Sequence, residues 1–385
     1  MSEPKDSSAP LDPRRRRLLM AAGGLAAAPV AQAAAGPVAP ARPFLKLDGP
    51  RLRVAFGSCA KQSKPQPVWG AIAASRPDLF LFLGDNFYAD ARDAATLRQR
   101  YAEFRQVEAL QAFRRSTPHL AIWDDHDFGD DDVGGDYALK ALSQQLFCDE
   151  WGEPADSPRR RRSGIYEAYR VESAGRSVQV LMLDLRFNRT ALRADPKLQQ
   201  GYRSMVIQAK LMGKPMSGWY VPDADPQASL LGEEQWAWLA ERLAEPADLR
   251  IIGSSVQFAA DGTGWECWAN FPHERERLVA LLARQRAENA LIVSGDMHYA
   301  ELSQWPVDGG YPLWDLTSSG LTEVWDIPTP NSRRVSKVFA EPNFGLLDID
   351  WTGAGSVGFA IVNAEGRERL RQRVALDSLR FPPRG

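Results

Sequence analysis

Four apolar segments of this chain each end in residues that could bind a metal ion. In chain order these ends carry Cys59, Asp85, the run Asp124 to Asp127 with His126 inside it, and the pair Asp296 and His298. If the segments are neighbouring strands, their ends converge, and carboxylates left together there would repel and raise one another's pKa. A bound cation removes that conflict, so the pattern predicts a metal centre.

The stretch at residues 77–88 organises the rest of the chain. Its apolar run, 79–83, is typical of a strand buried on both faces, and it stops at Gly84 with Asp85 directly after it. Open α/β sheets place their ligand sites at such strand ends. Tyr88 follows three residues later, close enough for its oxygen and that of Asp85 to face one ion. The alternative is a plain turn, in which Asp85 caps the next helix and Tyr88 packs in the core.

The types of ligand indicate which ions would fit. Thiolate, phenolate, carboxylate and imidazole together favour a ferric or zinc ion. The neighbouring oxygen-rich group, which shares Asp85, favours a second divalent ion such as Ca²⁺, Mn²⁺, Mg²⁺ or Zn²⁺. Two cations about 3.5 to 4 Å apart form the clamp used in phosphoryl displacement, in which a bridging hydroxide attacks phosphorus. His126 lies beside a predicted ligand, where it could protonate the leaving oxygen.

The elements that must position these residues are strands and helices in alternation. Helices are predicted at about 94–115 and 137–151, a hairpin at 165–185 and a closing hairpin at 357–376. Strands and helices alternate in the first half of the chain, and patterns typical of antiparallel strands are more frequent in the second half. Together they predict an α/β fold of two packed sheets flanked by helices. The irregular stretch 187–229 is long for a connection and is interpreted as a wall or lid over the site.

Length and composition suit a soluble globular protein with one large domain or two ordinary ones. The chain has 385 residues, of which 44% are hydrophobic and 25% charged. The net charge of -2 gives no sign of a nucleic-acid-binding surface. Three cysteines, Cys59, Cys148 and Cys267, cannot all pair, which excludes a disulfide scaffold.

The N-terminal segment is predicted to be an export signal. Four arginines at 14–17 precede an Ala/Gly/Leu-rich stretch and a small-residue cleavage site at 31–33, a pattern similar to a twin-arginine signal. The stretch is too rich in Ala, Gly and Pro for a stable membrane span. We therefore predict a signal peptide at 1–35, a flexible lead-in at 36–48 and a single domain at 49–385. The twin-arginine machinery would export the protein to the periplasm or out of the cell.

Six short motifs occur in order along the chain. They are Gly-Ser-Cys at 57–59, Gly-Asp-Asn-Phe-Tyr at 84–88, Trp-Asp-Asp-His-Asp at 123–127, Leu-Asp-Leu-Arg at 183–186, Leu-Gly-Glu-Glu-Gln at 231–235 and Ser-Gly-Asp-Met-His at 294–298. Together they resemble the PhoD-like (alkaline phosphatase D) branch of the calcineurin-like metallophosphatases. The resemblance implies a four-layer αββα sandwich of two mixed sheets and an alkaline phosphatase or phosphodiesterase activity.

The resemblance also implies roles for single residues. An Fe³⁺ site would use Cys59, Asp85, Tyr88 and His298, and a second site, often Ca²⁺ in this family, would use Asp85, Asp125 and Asp296. His126 corresponds to the histidine taken to stabilise the transition state, and Arg186 could bind a phosphate oxygen bidentately. Asn270 is a further candidate for substrate binding, because it lies in an aromatic loop with Trp265 and Trp268.

Several of these residues also have a purely structural interpretation. Cys59 could be a small buried side chain. Asp124 could turn away and bond backbone while Asp125 takes the metal. Arg186 could simply pair with Asp184.

Two functions from other classes compete with phosphoester hydrolysis. One is a catalytically silent exported protein that binds metal or phosphate on the same fold. The other is a redox protein that uses the cysteine–tyrosine iron site for electron transfer, although the sequence has no dinucleotide or haem motif. Turnover of nitrophenyl monoesters and diesters, with and without a chelator, would separate the three.

Overall fold

The computed structural model of the protein describes residues 40–198 and 200–383, and its strands form two mixed sheets. In chain order the strands are β1 (Arg42–Leu47), β2 (Arg51–Gly57), β3 (Leu79–Leu83), β4 (His119–Ile122), β5 (Glu167–Ser173), β6 (Arg176–Met182), β7 (Leu249–Ser254), β8 (Ala290–Ser294), β9 (Ala300–Trp305), β10 (Leu313–Ser318), β11 (Asn343–Asp350), β12 (Ser356–Asn363) and β13 (Glu368–Ala375). The helices are α1 (Val68–Ala74), α2 (Ala94–Arg105), α3 (Glu108–Ser116), α4 (Asp125–Phe128), α5 (Lys140–Glu150), α6 (Tyr202–Met212), α7 (Glu233–Leu243) and α8 (Pro272–Gln285). The predicted signal peptide at 1–35 lies outside the described residues.

Parallel strands form the centre of both sheets. Sheet I has the order β1-β5-β6-β7-β8-β10-β9, and sheet II has the order β13-β12-β11-β2-β3-β4. In sheet II, β2, β3 and β4 are parallel neighbours, and in sheet I so are β6, β7, β8 and β10. Parallel neighbours present their carboxyl ends at the same edge, so the loops that follow these strands can meet.

The two sheets pack face to face through these central strands. β3 contacts β7, and β4 contacts β6. A Cβ placed on Gly253 of β7 would lie 3.3 Å from Leu83 of β3. Every residue of β3 is buried, as expected for a strand covered by a sheet on one face and helices on the other.

Helices cover the outer faces of the sandwich. On sheet II, the rings of Trp69 in α1 and Phe113 in α3 have their centroids 5.7 Å and 5.2 Å from that of Phe80 in β3. On sheet I, the side chain of Gln179 in β6 donates a 2.7 Å hydrogen bond to the carbonyl of Arg242 in α7. The predicted class, two mixed sheets flanked by helices, is therefore confirmed. Within residues 40–198 and 200–383, no helix is long and apolar enough to cross a membrane.

The predicted flexible lead-in is wrong for residues 42–47, which form β1. This strand pairs in parallel with β5 at the edge of sheet I. The ring of Phe44 contacts that of Tyr169 at 5.6 Å, and Leu45 and Leu47 pack against the core. The folded unit therefore begins before the predicted start at residue 49. The physical reason is that the apolar side chains of β1 pack at the edge of sheet I.

The helix predicted at 94–115 is two helices, α2 and α3. The backbone leaves the helical region at Val107, where φ is -75° and ψ is 89°. The break lets the two parts bury their apolar faces in different places. Phe104 of α2 packs 5.0 Å from the ring of Phe87, whereas Phe113 of α3 packs 5.2 Å from Trp69.

The irregular stretch predicted at 187–229 contains a helix, α6. Its buried residues, Met205 and Ala209, belong to a small apolar cluster with Trp265, Met297 and others. Met297 lies next to His298, so the prediction that this stretch forms a wall beside the site agrees with its position.

We expect Phe80→Ala to lower the free energy of unfolding by about 3–5 kcal/mol, because it removes a fully buried ring from the contact between α1, α3 and β3. Phe44→Ala is the matched control, since that ring is partly exposed at a sheet edge, and it should cost about 1 kcal/mol or less. Urea unfolding followed by circular dichroism measures both. Equal losses would contradict the placement of the core at β3.

Candidate metal centre

The ends of parallel strands bring the predicted ligands to one edge of the sandwich. Cys59 and Asp85 lie just after β2 and β3 of sheet II, and Asp125 opens α4 after β4. Asp296 and His298 follow β8 of sheet I. Both sheets therefore contribute residues to a single cluster.

Four of these residues have a left-handed backbone, which is rare for residues other than glycine. The φ angles are 64° at Cys59, 48° at Asp85, 75° at Asp296 and 57° at His298. Each such conformation costs on the order of 1–3 kcal/mol and persists only where the surrounding structure enforces it. Strain of this kind collected at one edge of the fold points to a functional site.

Gly84 and Gly295 allow the loops of the centre to approach closely. Gly84 has a φ of 99°, and a Cβ there would lie 2.5 Å from the Cβ of Asp124. A Cβ on Gly295 would lie 2.5 Å from the Oγ of Ser58. Only residues without a side chain fit at these positions, so the two glycines set the spacing between the strand ends.

The first group of side chains contains the four predicted iron ligands. Ligand atoms of Cys59, Asp85 and His298 all lie within 4.8 Å of one another. The Sγ of Cys59 is 3.4 Å from Oδ2 of Asp85, and the hydroxyl of Tyr88 is 3.1 Å from Nε2 of His298. The structure thus brings these four side chains together.

The second group consists of carboxylates. Ligand oxygens of Asp85, Asp124, Asp125 and Asp296 lie within 4.8 Å of one another, so Asp124 joins the three predicted residues. Oδ2 of Asp124 and Oδ1 of Asp125 are buried and have no hydrogen-bond partner among the described residues. Buried carboxylate oxygens need a partner, and a hard divalent cation suits an all-oxygen set. The residues present therefore fit a second cation.

The acidic turn after α4 adjoins this second group. Ligand oxygens of Asp131 and Asp132 lie within 4.8 Å of one from Asp125. The backbone N–H of Asp132 also donates a 2.7 Å hydrogen bond to Oδ2 of Asp125. The turn thus fixes the orientation of Asp125 whether or not its own carboxylates bind an ion.

Burial makes the ionised forms of the cluster unfavourable without a cation. Burial, and then the charge of Asp85, raises the pKa of the Cys59 thiol. Burial and neighbouring carboxylates likewise raise the pKa of Asp85 and of Asp296. Burial lowers the pKa of His298 to about 3, which keeps the neutral imidazole that binds metals. A bound cation would favour thiolate and carboxylate and remove the conflict.

His126 is held beside both groups. Its Nδ1 lies 2.5 Å from Oδ1 of Asp90, and its backbone N–H donates to Oδ1 of Asp85 at 3.3 Å. Its ring lies 4.1 Å from that of Tyr88. Burial lowers the pKa of His126, but the charges of Asp125 and Asp85 outweigh burial and raise it. The imidazole is therefore fixed in orientation and favours its protonated form in the absence of metal.

Asp127 organises the loops rather than facing the cluster. Its carboxylate accepts backbone hydrogen bonds from Asp85 at 3.1 Å, Asn86 at 3.2 Å and Asp124 at 2.6 Å. It also accepts one from the side-chain amide of Asn86 at 2.5 Å. These bonds tie the loop after β3 to the loop after β4.

The guanidinium of Arg186 is buried among carboxylates. Its Nε lies 2.6 Å from Oδ1 of Asp124, and its Nη1 lies 2.7 Å from Oε1 of Glu266. The alternative pairing with Asp184 is wrong, because Oδ1 of that residue accepts backbone N–H groups, including that of Arg186 itself at 2.9 Å. Binding of a phosphate oxygen by Arg186 stays a prediction, since Asp124 and Glu266 occupy its nitrogens here.

Three neighbours of the centre were missed in the sequence. Glu266 contacts Arg186, and its Oε2 is buried and without a hydrogen-bond partner among the described residues. The sequence does contain one indication of the role of Glu266, which is its charge inside an otherwise largely aromatic and apolar loop. Asp90, which holds His126, and Ser319, whose Oγ lies 3.2 Å from the Sγ of Cys59, gave no comparable signal.

Asn270 lies in the loop that carries Glu266. Its side-chain oxygen accepts a 2.7 Å hydrogen bond from the backbone N–H of Cys267, which closes a short helical turn. Asn270 and Arg186 line the same small cavity. Contact of Asn270 with a substrate stays a prediction.

The aromatic loop contributes one of its two tryptophans to the surroundings of the centre. The ring of Trp265 lies 5.1 Å from that of Trp325, which lies 5.2 Å from the imidazole of His298. Trp268 instead packs in the core, 5.4 Å from the ring of Phe258. Trp265 and Trp325 therefore form an aromatic wall on the side of His298.

The protein is an α/β fold of two stacked mixed sheets. Thiol, phenol, carboxylate and imidazole groups lie together at one shared edge, which is the arrangement of the metallophosphatase class. The family described as PhoD-like phosphatase matches residues 54–343, which is most of the chain. The protein belongs to this family, as the six motifs predicted.

Comparisons with individual proteins agree with this assignment. Alkaline phosphatase D of Bacillus subtilis (strain 168) is 25% identical over 297 residues, which are 67% of this chain and 48% of that protein. The chain thus spans about half the length of this curated relative. A solved structure described as PhoD has a TM-score of 0.63 at 16% identity and covers 88% of this chain and 70% of its own. GAP50, the anchor in the inner membrane complex of Plasmodium, has a TM-score of 0.51 at 12% identity, covering 86% and 90%. At these identities the two structures show a shared fold alone.

We expect Asp85→Asn to remove both metal ions, because Asp85 belongs to both groups and the amide keeps the shape but loses the charge. Elemental analysis of the purified protein measures the loss. Asp130→Asn is the matched control, since that carboxylate instead pairs with Arg92 at 2.7 Å. Full metal content in the Asp85 variant would contradict the shared-carboxylate arrangement.

Proposed function

We propose that this protein is an exported, metal-dependent phosphoesterase that hydrolyses phosphomonoesters or phosphodiesters at a dinuclear centre. The observation that carries the proposal is the presence of Asp85 in both groups of candidate ligands. A shared carboxylate holds two cations close enough to act on one phosphate. Membership of the PhoD-like phosphatase family supports the same class of reaction.

The two groups of ligands suit different ions. Cys59, Asp85, Tyr88 and His298 would hold Fe³⁺, because thiolate and phenolate favour a ferric ion. The oxygen-only set of Asp85, Asp125 and Asp296 would hold a divalent cation, for which Ca²⁺ is our first choice and Mn²⁺, Mg²⁺ or Zn²⁺ the alternatives. When bound, the cations would activate water for attack on phosphorus and neutralise the developing charge.

His126 would act on the leaving group. Its Nδ1 is engaged by Asp90, so Nε2 is the ring nitrogen left to face a substrate. Its backbone bond to Asp85 keeps the ring beside the candidate ligands. A proton donated from Nε2 to the leaving oxygen would stabilise the alcohol as it departs.

Arg186 and Asn270 are proposed to contact the substrate, and both line one small cavity beside Glu266. The Nη1 of Arg186 is 2.7 Å from Glu266, so a phosphate oxygen would take the place of that carboxylate. Phosphate accepts a bidentate guanidinium as a carboxylate does. Arg186 would also keep Asp124 oriented toward the second group of ligands.

Export rests on the sequence of the N-terminal segment. The arginines at 14–17, the Ala/Gly/Leu-rich stretch and the small-residue cleavage site at 31–33 support a twin-arginine signal. The export machinery would then be a partner, and the periplasm or cell exterior the place of action. Folded export would allow the metals to be inserted first.

We expect His126→Gln to lower kcat for nitrophenyl esters by about 10²–10⁴-fold while metal content stays unchanged, because the histidine is a proton donor and not a proposed ligand. His273→Gln is the control, since its Nε2 bonds the carbonyl of Ala228 at 2.7 Å in a structural role. Unchanged kcat in the His126 variant would exclude the proposed role. If the metal-loaded wild type turns over neither monoester nor diester, the proposed hydrolysis is wrong and a silent binding protein remains.

We expect Cys59→Ala to lose the visible charge-transfer band of a ferric thiolate–phenolate centre together with its iron. Cys148→Ala is the matched control, because Cys148 is also buried but its Sγ lies 3.4 Å from the carbonyl of Arg159. Absorption spectra and iron analysis of both variants test this. An unchanged spectrum and iron content in the Cys59 variant would exclude the cysteine as a ligand.

A further inference from the structure

Helix α6 exposes large apolar side chains to solvent. Ile207 is 60% exposed, Leu211 is 83% exposed and Met212 is 52% exposed. Of the five exposed large hydrophobic residues among those the structure describes, these three lie on one helix. Ile207 and Leu211 are one turn apart, so they lie on the same outward face. Single exposed apolar residues are ordinary, but a cluster on one helix face marks an interaction surface.

The same surface is basic. Between Asp195 and Asp223 the chain carries Lys197, Arg203, Lys210 and Lys214 and no acidic residue, although the net charge of the whole protein is -2. Arg203 and Lys210 lie at helical spacing on either side of Ile207. Lys210 pairs with the exposed Asp326 at 3.0 Å, and the four cations of the segment still outnumber this one carboxylate. An exposed apolar stripe flanked by cations is the pattern of a helix that lies in a membrane interface.

The opposite face of α6 holds the helix on the protein beside the metal centre. Met205 and Ala209 are buried in the apolar cluster that includes Met297, the neighbour of His298. The ring of Tyr202 lies 6.0 Å from that of Trp325, which in turn lies 5.2 Å from the imidazole of His298. The helix is therefore a fixed part of the wall of the centre, and the exposed side chains of Ile207 and Leu211 lie on its outward face.

We propose that α6 docks this protein onto anionic phospholipid membranes, with Ile207 and Leu211 inserted among the lipids and the cations beside phosphate headgroups. Charge decides between the possible occupants of this face. In a symmetric contact with a second copy, this basic segment would lie against the same basic segment of the partner, and the like net charges disfavour that contact. An anionic lipid surface offers both an apolar phase and complementary charge, and basic side chains extend toward headgroups while their stems cover apolar surface.

Docking in this way would hold the metal centre at the lipid–water interface. The contact between Tyr202 of α6 and Trp325 connects the helix to the side of His298, so the membrane surface and the centre would share one end of the molecule. Membrane binding itself needs no catalysis, so it can be measured separately from ester hydrolysis.

The test is sedimentation of the metal-loaded mature protein with vesicles of phosphatidylglycerol and phosphatidylcholine, compared with phosphatidylcholine alone. We expect binding to the anionic vesicles that weakens with salt. The neutral double change Ile207→Ser and Leu211→Ser should weaken binding by about tenfold or more, because it removes the apolar anchor. Lys214→Gln should weaken it roughly fivefold, the effect of one charge at an anionic surface.

Val335→Ser is the matched control, because Val335 is exposed to a similar degree outside α6, and this variant should bind like the wild type. Hydrolysis of soluble nitrophenyl esters should be unchanged in all of these variants. The proposal is overturned if the wild type ignores anionic vesicles or if the double variant binds them as well as the wild type. It is also overturned if gel filtration shows a dimer that the double variant separates into monomers.

Discussion

The burial of several carboxylates at one edge of two stacked sheets is the constraint on which the rest of the structure depends. Asp85, Asp124, Asp125 and Asp296 bring ligand oxygens within 4.8 Å of one another, where loss of water and mutual repulsion both oppose ionisation. Arg186 lies 2.6 Å from Asp124 and 3.5 Å from Asp125, but it also contacts Glu266. Arg189 adds a second guanidinium, 3.3 Å from the same oxygen of Glu266. Two guanidiniums cannot neutralise these five carboxylates, so a bound cation would relieve the excess negative charge. A structural ion-pair network alone would leave the carboxylates in excess.

Strained backbone conformations accompany this cluster of buried carboxylates. Cys59, Asp85, Asp296 and His298 all take a left-handed conformation directly after, or close to, the end of a strand. A left-handed residue turns the chain sharply, so that a side chain just beyond the sheet points back over its edge. The close approach at Gly84 and Gly295 then brings the loops of the two sheets into contact. Backbone geometry thus sets where the side chain of each candidate ligand starts and in which direction it leaves the chain.

The candidate ligands could be predicted from the sequence because their signal is local. An apolar run that stops at a carboxylate, a cysteine or a histidine can be recognised without knowing what the strand pairs with, and the order of such runs predicted that they converge. The strand β1 and the helix α6 could not be predicted from the sequence, because contacts with distant parts of the chain stabilise them. Leu45 and Leu47 pack against the core only through the pairing of β1 with distant β5, and Met205 is buried in a cluster that includes the distant residues Met297 and Trp265. The break at Val107 likewise reflects two separate clusters of aromatic side chains rather than any helix-breaking residue.

Residues that orient the ligands were harder to predict than the ligands themselves, and the reason is physical. Asp90, Glu266 and Ser319 act through contacts with His126, Arg186 and Cys59, and such contacts exist only once the loops have folded over the sheet edge. Asp90 lies outside the motif at 84–88, yet it determines which nitrogen of His126 can face a substrate. The motifs therefore define which groups are available at the centre, while the tertiary contacts around them define the direction in which each group can act. For His126 that direction matters to its proposed chemistry, because the contact of Nδ1 with Asp90 holds the ring so that Nε2 is the nitrogen left to donate a proton to the leaving oxygen.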